Sequence, residues 1–324
     1  MAAGKALRAA FCVLLFALAG CAARGPYLPQ LVREPQPASV ELATTPFFPQ
    51  REYQCGPAAL ATVLAASGVK IDPDELVDEV YLPGRRGSLQ PEIVAAARSR
   101  GRLVYVLPPD PAALVQQLAA SSPVLVLQKT GAGPWPGWHY AVIVGYDASA
   151  DRFILRSGTE KRREMSAAMF LATWDRAGRW GVVVLPPGAM PSNPDFARYM
   201  AAAASLEAVG RMDDARLSYE TGAAHWPREP LPLLGLANLA HARGDLAGAE
   251  HSLRAASVLA PHDAVVRNNR AAVLLELGCP ASAQREIDAA RALGADDELA
   301  AALEETAAGI AAAGGPEGPG CPGP

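Results

Sequence analysis

The sequence predicts an α+β domain, helices first and an antiparallel sheet second, followed by an all-α stack of helical hairpins. Three observations predict it. Helical periods ended by Gly68 and Gly101 fill residues 58–101. Apolar runs of strand length, split by turn residues, fill 103–185. Beyond 196, glycine and alanine recur at a fixed interval of 34 residues. Helices grouped ahead of strands favour an α+β layer arrangement over alternating βαβ units.

The chain of 324 residues, 50% hydrophobic and 19% charged, is long enough for two ordinary domains. Its net charge of -4 argues against a nucleic-acid partner and against a polybasic membrane contact. Residues 1–20 have a basic start at Lys5 and Arg8, a short apolar run, and Leu18-Ala19-Gly20 before Cys21. This resembles a bacterial lipoprotein signal, in which cleavage before the cysteine is followed by its lipidation. The apolar run is short for a membrane span. The resemblance implies Cys21 as the lipidated residue and, with Ala22 next, the outer membrane facing the periplasm. Residues 21–43 are rich in proline and lack any period, so they read as a tether.

The folded part is expected over 44–190. Its centre is Gln50-Arg51-Glu52-Tyr53-Gln54-Cys55-Gly56-Pro57-Ala58. A cysteine at a helix start faces the positive end of the helix dipole, which favours thiolate. A nearby glutamine can donate a hydrogen bond to a developing oxyanion. Further helices are expected at 72–80, with Pro73 and acids in its first turn, and from Ser88 to Gly101. Strands follow at 103–107, 123–128, 138–146, 152–156 and 180–185, with short helices at 111–120 and 166–174.

A thiol nucleophile wants a base, and His139 is the one histidine of this domain. It opens the strand 138–146. With a turn centred near Ser149, His139 lies opposite the far end of the next strand, where Ser157, Thr159 and Glu160 are the reachable polar groups. Asp147 and Asp151 flank the turn and would sit more than about 20 Å away. The scattered cysteines have no zinc spacing, and an odd count of 5 argues against a disulfide framework. No metal or other cofactor is expected.

Gln50, Cys55-Gly56-Pro57-Ala58-Ala59-Leu60, Gly87-Ser88-Leu89, Gly101 and His139-Tyr140-Ala141-Val142-Ile143-Val144-Gly145-Tyr146 together resemble the bacteriocin-leader (double-glycine) peptidases. That family is a papain-like branch of the cysteine peptidases. The resemblance spans residues 45–187 and implies a papain-like fold, with Cys55 as nucleophile, His139 as base and an upstream glutamine at the oxyanion. Two departures stand out. Gln50 lies five residues before the cysteine rather than six, and Gln54 competes with it from the nucleophile's own turn. Arg156-Ser157-Gly158 stands where the family usually has Asp or Asn after the strand that follows the histidine, in an Asp-Pro pair. Ser157 can hold an imidazole tautomer but cannot stabilise imidazolium as a carboxylate does. The third position stays open among Ser157, Thr159 and Glu160.

In the second half Gly210, Gly244 and Gly278 are spaced by 34, as are Ala203, Ala237 and Ala271, and Ala215, Ala249 and Ala283. A period of 34 resembles tetratricopeptide repeats. The solenoid is expected over 196–313, its last helix capping the stack, with a disordered tail over 314–324. Cys279 reads as an ordinary inter-helix residue and Cys321 as a tail thiol. The resulting expectation is an exported, lipid-anchored cysteine peptidase acting on a peptide or protein, with repeats that recruit a protein partner. The alternatives are a degenerate peptide-binding scaffold, or an acyltransferase or amidase using the same Cys-His pair.

Overall fold

The computed structural model describes residues 25–131, 137–314 and 321. The expected leader (1–20), Cys21 and the tail positions 315–320 and 322–324 lie outside the described residues.

Two short elements come first, α1 (Leu28–Leu31) and β1 (Ser39–Glu41). Next are α2 (Cys55–Ala66), α3 (Asp74–Val80) and α4 (Gln90–Ser99). The sheet and its helices follow as β2 (Leu103–Val106), α5 (Pro111–Ala119), β3 (Val124–Thr130), β4 (Gly137–Asp147), β5 (Arg152–Ser157), β6 (Glu160–Ser166), α6 (Ala167–Asp175) and β7 (Gly181–Leu185). The 7-stranded sheet runs β2-β7-β3-β4-β5-β6, with β1 on the edge of β4 beyond β3. Its pairings are antiparallel.

α2 is apolar on every side, and all residues from Cys55 to Leu64 are buried. Such a helix must be embedded rather than lie on a surface. Alternation along the strands shares β4 between two cores. Tyr140, Val142 and Val144 pack with Leu60, Leu64, Leu76 and Ile93 from α2–α4. Ala141 and Ile143 pack with Leu114, Leu118, Phe170 and Trp174 from α5 and α6. Helices therefore cover both faces, and β6 (Glu-Lys-Arg-Arg-Glu-Met-Ser) forms a charged outer edge.

The expected tether is corrected from residue 25 onward. Leu28 is fully buried, and Asp151 Oδ1 accepts hydrogen bonds from Tyr27 N (2.9 Å) and Leu28 N (2.8 Å). Tyr146 donates its hydroxyl to Pro37 O at 2.7 Å. β1 then pairs Ser39, Val40 and Glu41 with Asp147, Tyr146 and Gly145. Gly145 permits this approach, because a Cβ there would lie 2.3 Å from Val40 O. Pro-rich sequence hid a segment whose attachments are made by backbone atoms, which carry no periodic signal.

The second half forms three hairpins and a cap. They are α7 (Phe196–Ala208) with α8 (Met212–His225), α9 (Leu231–Ala242) with α10 (Leu246–Leu259), α11 (Ala264–Glu276) with α12 (Pro280–Leu293), and then α13 (Asp297–Ala313). Gly210, Gly244 and Gly278 take φ of 76°, 76° and 75° between the helices of each pair, a region glycine enters without penalty. The alanines at the 34-residue interval are buried where the helices cross. This is a tetratricopeptide-like solenoid. It shares a core with the first domain, since Tyr199, Leu206 and Tyr219 join the cluster of Tyr105 and Leu114. Tyr105 Oη accepts from Asp195 N at 2.9 Å, and Gln117 exchanges hydrogen bonds with the backbone of Ser192.

Cys279 and Cys321 form a disulfide with Cα atoms 5.5 Å apart. This corrects the reading of both as unpaired. Cys321 packs with Leu274 and Leu303 at the capped end of the stack, so this position of the tail is fixed.

Candidate active site

Cys55 is the first residue of α2 and is 8% exposed. Its thiol faces the backbone N–H groups of Tyr140, Gly56 and Cys55 itself, all of which favour thiolate. Burial outweighs them and pushes the thiol above its ordinary value. The expectation of a dipole-lowered cysteine is thereby corrected: the helix start is present, but desolvation is the larger effect.

His139 pairs with Gln128 across β3 and β4. Its Nε2 lies 2.8 Å from Ser157 Oγ, at the end of β5. Burial lowers the imidazole below its ordinary value, and the charge of Arg163 adds to the effect. Both changes favour the neutral forms, thiol at Cys55 and imidazole at His139. Tyr140, next to His139 in the chain, supplies the N–H at Cys55, so β4 carries both contacts.

Gln50 and Ser157 line the same void as Cys55, together with Tyr140, Phe47 and Phe48. The void measures about 10 Å³. Gln50 N donates to Gly158 O at 3.1 Å, which fixes the backbone, while Gln50 Oε1 is buried without a hydrogen-bond partner. Gln54 lines an adjoining cleft with Arg51 and Asp74, and Gln50 lines both that cleft and the Cys55 void. Thr159 is exposed, and Glu160 turns to Arg163 at 3.4 Å. The two turn carboxylates are committed elsewhere, Asp147 to Ser149 and Ala150, and Asp151 to α1. Among the described residues no group of His, Cys, Asp or Glu could hold a metal ion.

Residues 42–182 match the model of the Peptidase_C39 like family. This stretch is a C39-like peptidase domain. A solved C39-like peptidase of Bacillus anthracis is 17% identical, over 48% of this chain and 99% of that one, with a TM-score of 0.38. The peptidase domain of Streptococcus ComA, a bifunctional ABC transporter, is 22% identical over 44% and 98%, with a TM-score of 0.35. The type III secretion chaperone SycD of Yersinia enterocolitica, bound to a peptide of the translocator YopD, is 21% identical over 36% and 92%, with a TM-score of 0.34. No curated protein matches the chain.

Within the C39-like domain, Gly56 and Ser88 explain each other. A Cβ on Gly56 would lie 2.1 Å from Ser88 Oγ, so glycine lets the Gly87-Ser88-Leu89 loop close against the start of α2. Tyr140 reaches the same loop, its hydroxyl 3.4 Å from Ser88 O. Burial, with Cys55 and Glu92 nearby, pushes its phenol far above the ordinary value. Sequence reasoning passed over Arg156. This buried arginine bonds the carbonyls of Ala43, Thr45 and Lys161, and so ties the segment before Gln50 to the end of β5 in the C39-like domain. Its one sequence signal is a charge inside an apolar strand.

Proposed function

We propose that this protein is an exported, lipid-anchored cysteine peptidase that hydrolyses peptide bonds through Cys55 and His139, with its repeats recruiting a peptide or protein partner. The observation that carries the reading is the His139–Ser157 hydrogen bond of 2.8 Å, on the strand whose next N–H faces the Cys55 thiol. When Nε2–H donates to Ser157, Nδ1 keeps its lone pair and is the basic nitrogen. It takes the Cys55 proton as the sulfur attacks the substrate carbonyl. The Gln50 amide and the Cys55 N–H stabilise the oxyanion. As the C–N bond breaks, the amine leaves with the proton from His139, and a thioester remains. Water, deprotonated by His139, attacks the thioester and returns the thiol with a free carboxylate.

The disulfide supports an oxidising compartment, because such bonds persist outside the reducing cytosol. That agrees with lipidation at Cys21 and residence in the cell envelope, at the outer membrane facing the periplasm. A second reading, a peptide-binding scaffold without hydrolysis, is favoured by the void beside Cys55. At about 10 Å³ it admits roughly one water. Digestion of a peptide library by the wild type and by Cys55→Ala separates the two. New peptide termini with the wild type alone support the peptidase, whereas retained peptides with no new termini in either protein support the scaffold.

A further inference from the structure

In β5, Phe153, Ile154 and Leu155 are apolar and buried, and Arg156 follows them inside at 4% exposed. A guanidinium taken out of water costs stability unless its N–H groups are bonded. Its partners here are carbonyls. Nε and Nη2 donate to Thr45 O at 3.4 Å, Nη2 donates to Ala43 O at 3.1 Å, and Nη1 donates to Lys161 O at 2.5 Å. Burial works against the charge, and the carboxylate of Glu41 supports it. One planar fork thus meets three carbonyls, a geometry that a lysine ammonium on its flexible stem does not reproduce.

Ala43 and Thr45 lead into Pro46-Phe47-Phe48-Pro49-Gln50, a stretch that belongs to no helix or strand. Its two prolines have no N–H to offer. At the far end Gln50 N donates to Gly158 O at 3.1 Å. Gln50 Oε1 is buried without a hydrogen-bond partner, so the backbone on either side decides where the amide sits. Arg156, Ser157 and Gly158 line the void of Cys55 together with Gln50. They also divide its support between them. Ser157 Oγ lies 2.8 Å from His139 Nε2, while Arg156 and Gly158 grip the glutamine stretch at its two ends.

We infer that Arg156 is a positioning residue for the oxyanion donor: by binding the carbonyls of Ala43 and Thr45 it holds the stretch that sets the Gln50 amide beside Cys55. The tripeptide that departs from the family pattern thereby serves both the imidazole and the glutamine from one strand end. The inference rests on the peptidase reading for what Gln50 does, but the hold on Gln50 is measurable without turnover. Arg156→Met keeps an apolar stem and removes the fork, and Arg156→Lys keeps the charge.

The first readout is hydrogen exchange at the Gln50 amide, followed by NMR. With Arg156→Met it is expected to be at least about tenfold faster, and with Arg156→Lys faster by less, while amides of the β3–β7 pair keep wild-type protection. Unchanged exchange at Gln50 in both variants overturns the inference. The second readout is kcat and KM for a peptide that the wild type cleaves. Arg156→Met is expected to lower kcat by about 10- to 100-fold with KM within about threefold, and Arg156→Lys to recover part of the loss. Added to Gln50→Ala, which lacks the amide, Arg156→Met is expected to lower kcat by less than about twofold more. Alkylation of Cys55 by iodoacetamide forms no oxyanion and is expected to stay within about twofold of wild type. A full further loss in the Gln50→Ala background, or alkylation slowed as much as kcat, puts the effect of Arg156 elsewhere and overturns the inference. If Arg156→Met does not fold, Arg156→Lys decides, and wild-type exchange with wild-type kcat overturns it. A wild type that cleaves nothing removes the peptidase reading instead; faster exchange at Gln50 then still supports the hold, and unchanged exchange removes that too.

Discussion

Replacing His139 by alanine is expected to slow peptide hydrolysis by about 10²- to 10⁴-fold, the usual worth of a positioned general base. The wild-type pH profile should carry the same group's mark. Burial and Arg163 hold the imidazole below its ordinary 6.5. It is therefore neutral, and able to accept the thiol proton, down to more acid solution than a free histidine would be. The acid limb of kcat/KM is expected below pH 6.5, with activity full above it and lost as pH falls through the depressed value. A limb at or above 6.5, or an alanine variant that keeps wild-type turnover, would sink the role given to His139. Measuring kcat/KM between pH 4 and 8 for both proteins, roughly the range where histidine changes charge, settles the point.

Cys321→Ser is expected to destabilise the repeat half by about 2–4 kcal/mol, because the Cys279–Cys321 bond closes a long loop in the unfolded chain. The bonded residues are 42 apart in sequence. In the folded state Cys321 also packs at the capped end with Leu303 and Leu274, so some of the loss is apolar contact. Thermal melts of wild type with and without reductant, beside the variant, provide the measurement. Reduced wild type should melt like the variant. Coincident melts for oxidised wild type and Cys321→Ser would remove the disulfide from the stability of the stack.

Apolar patterning carried most of the fold, since β3, β4 and β7 each contain a run of four or five apolar residues and the solenoid repeats its glycines at a constant interval. The placement of His139 opposite Ser157 follows from the same logic. A hairpin turn near Ser149 sets the register, and register decides which side chains can meet. Features made by single backbone atoms were not legible. α1 and β1 are attached through Tyr27 N, Leu28 N, Pro37 O and the bare Cα of Gly145, none of which writes a pattern. β6 was missed because an exposed edge strand can be charged along most of its length. The disulfide was hidden in an odd cysteine count, two members of which, Cys12 and Cys21, fall in the expected leader and at its expected cleavage site. The thiol's raised value needed the depth of burial, which a motif does not state.

On a lipid anchor, the docked N-terminal segment would also set which way the molecule points. Tyr27 is pinned to Asp151 at the β4–β5 turn. Along β4 that turn is eight residues from His139, roughly 26 Å of strand. If Cys21 bears the proposed acyl chains, six residues separate it from Tyr27, a leash of about 20 Å at full stretch. A nitroxide quencher in the lipid should then reach a fluorophore at Ser149 and spare one at Thr159; equal quenching would contradict this orientation. On such an anchor the bilayer would lie beneath the turn, with His139 and the N–H of Tyr140 that faces Cys55 toward the other end of β4. A peptide substrate would then reach Cys55 from the aqueous compartment rather than along the membrane plane.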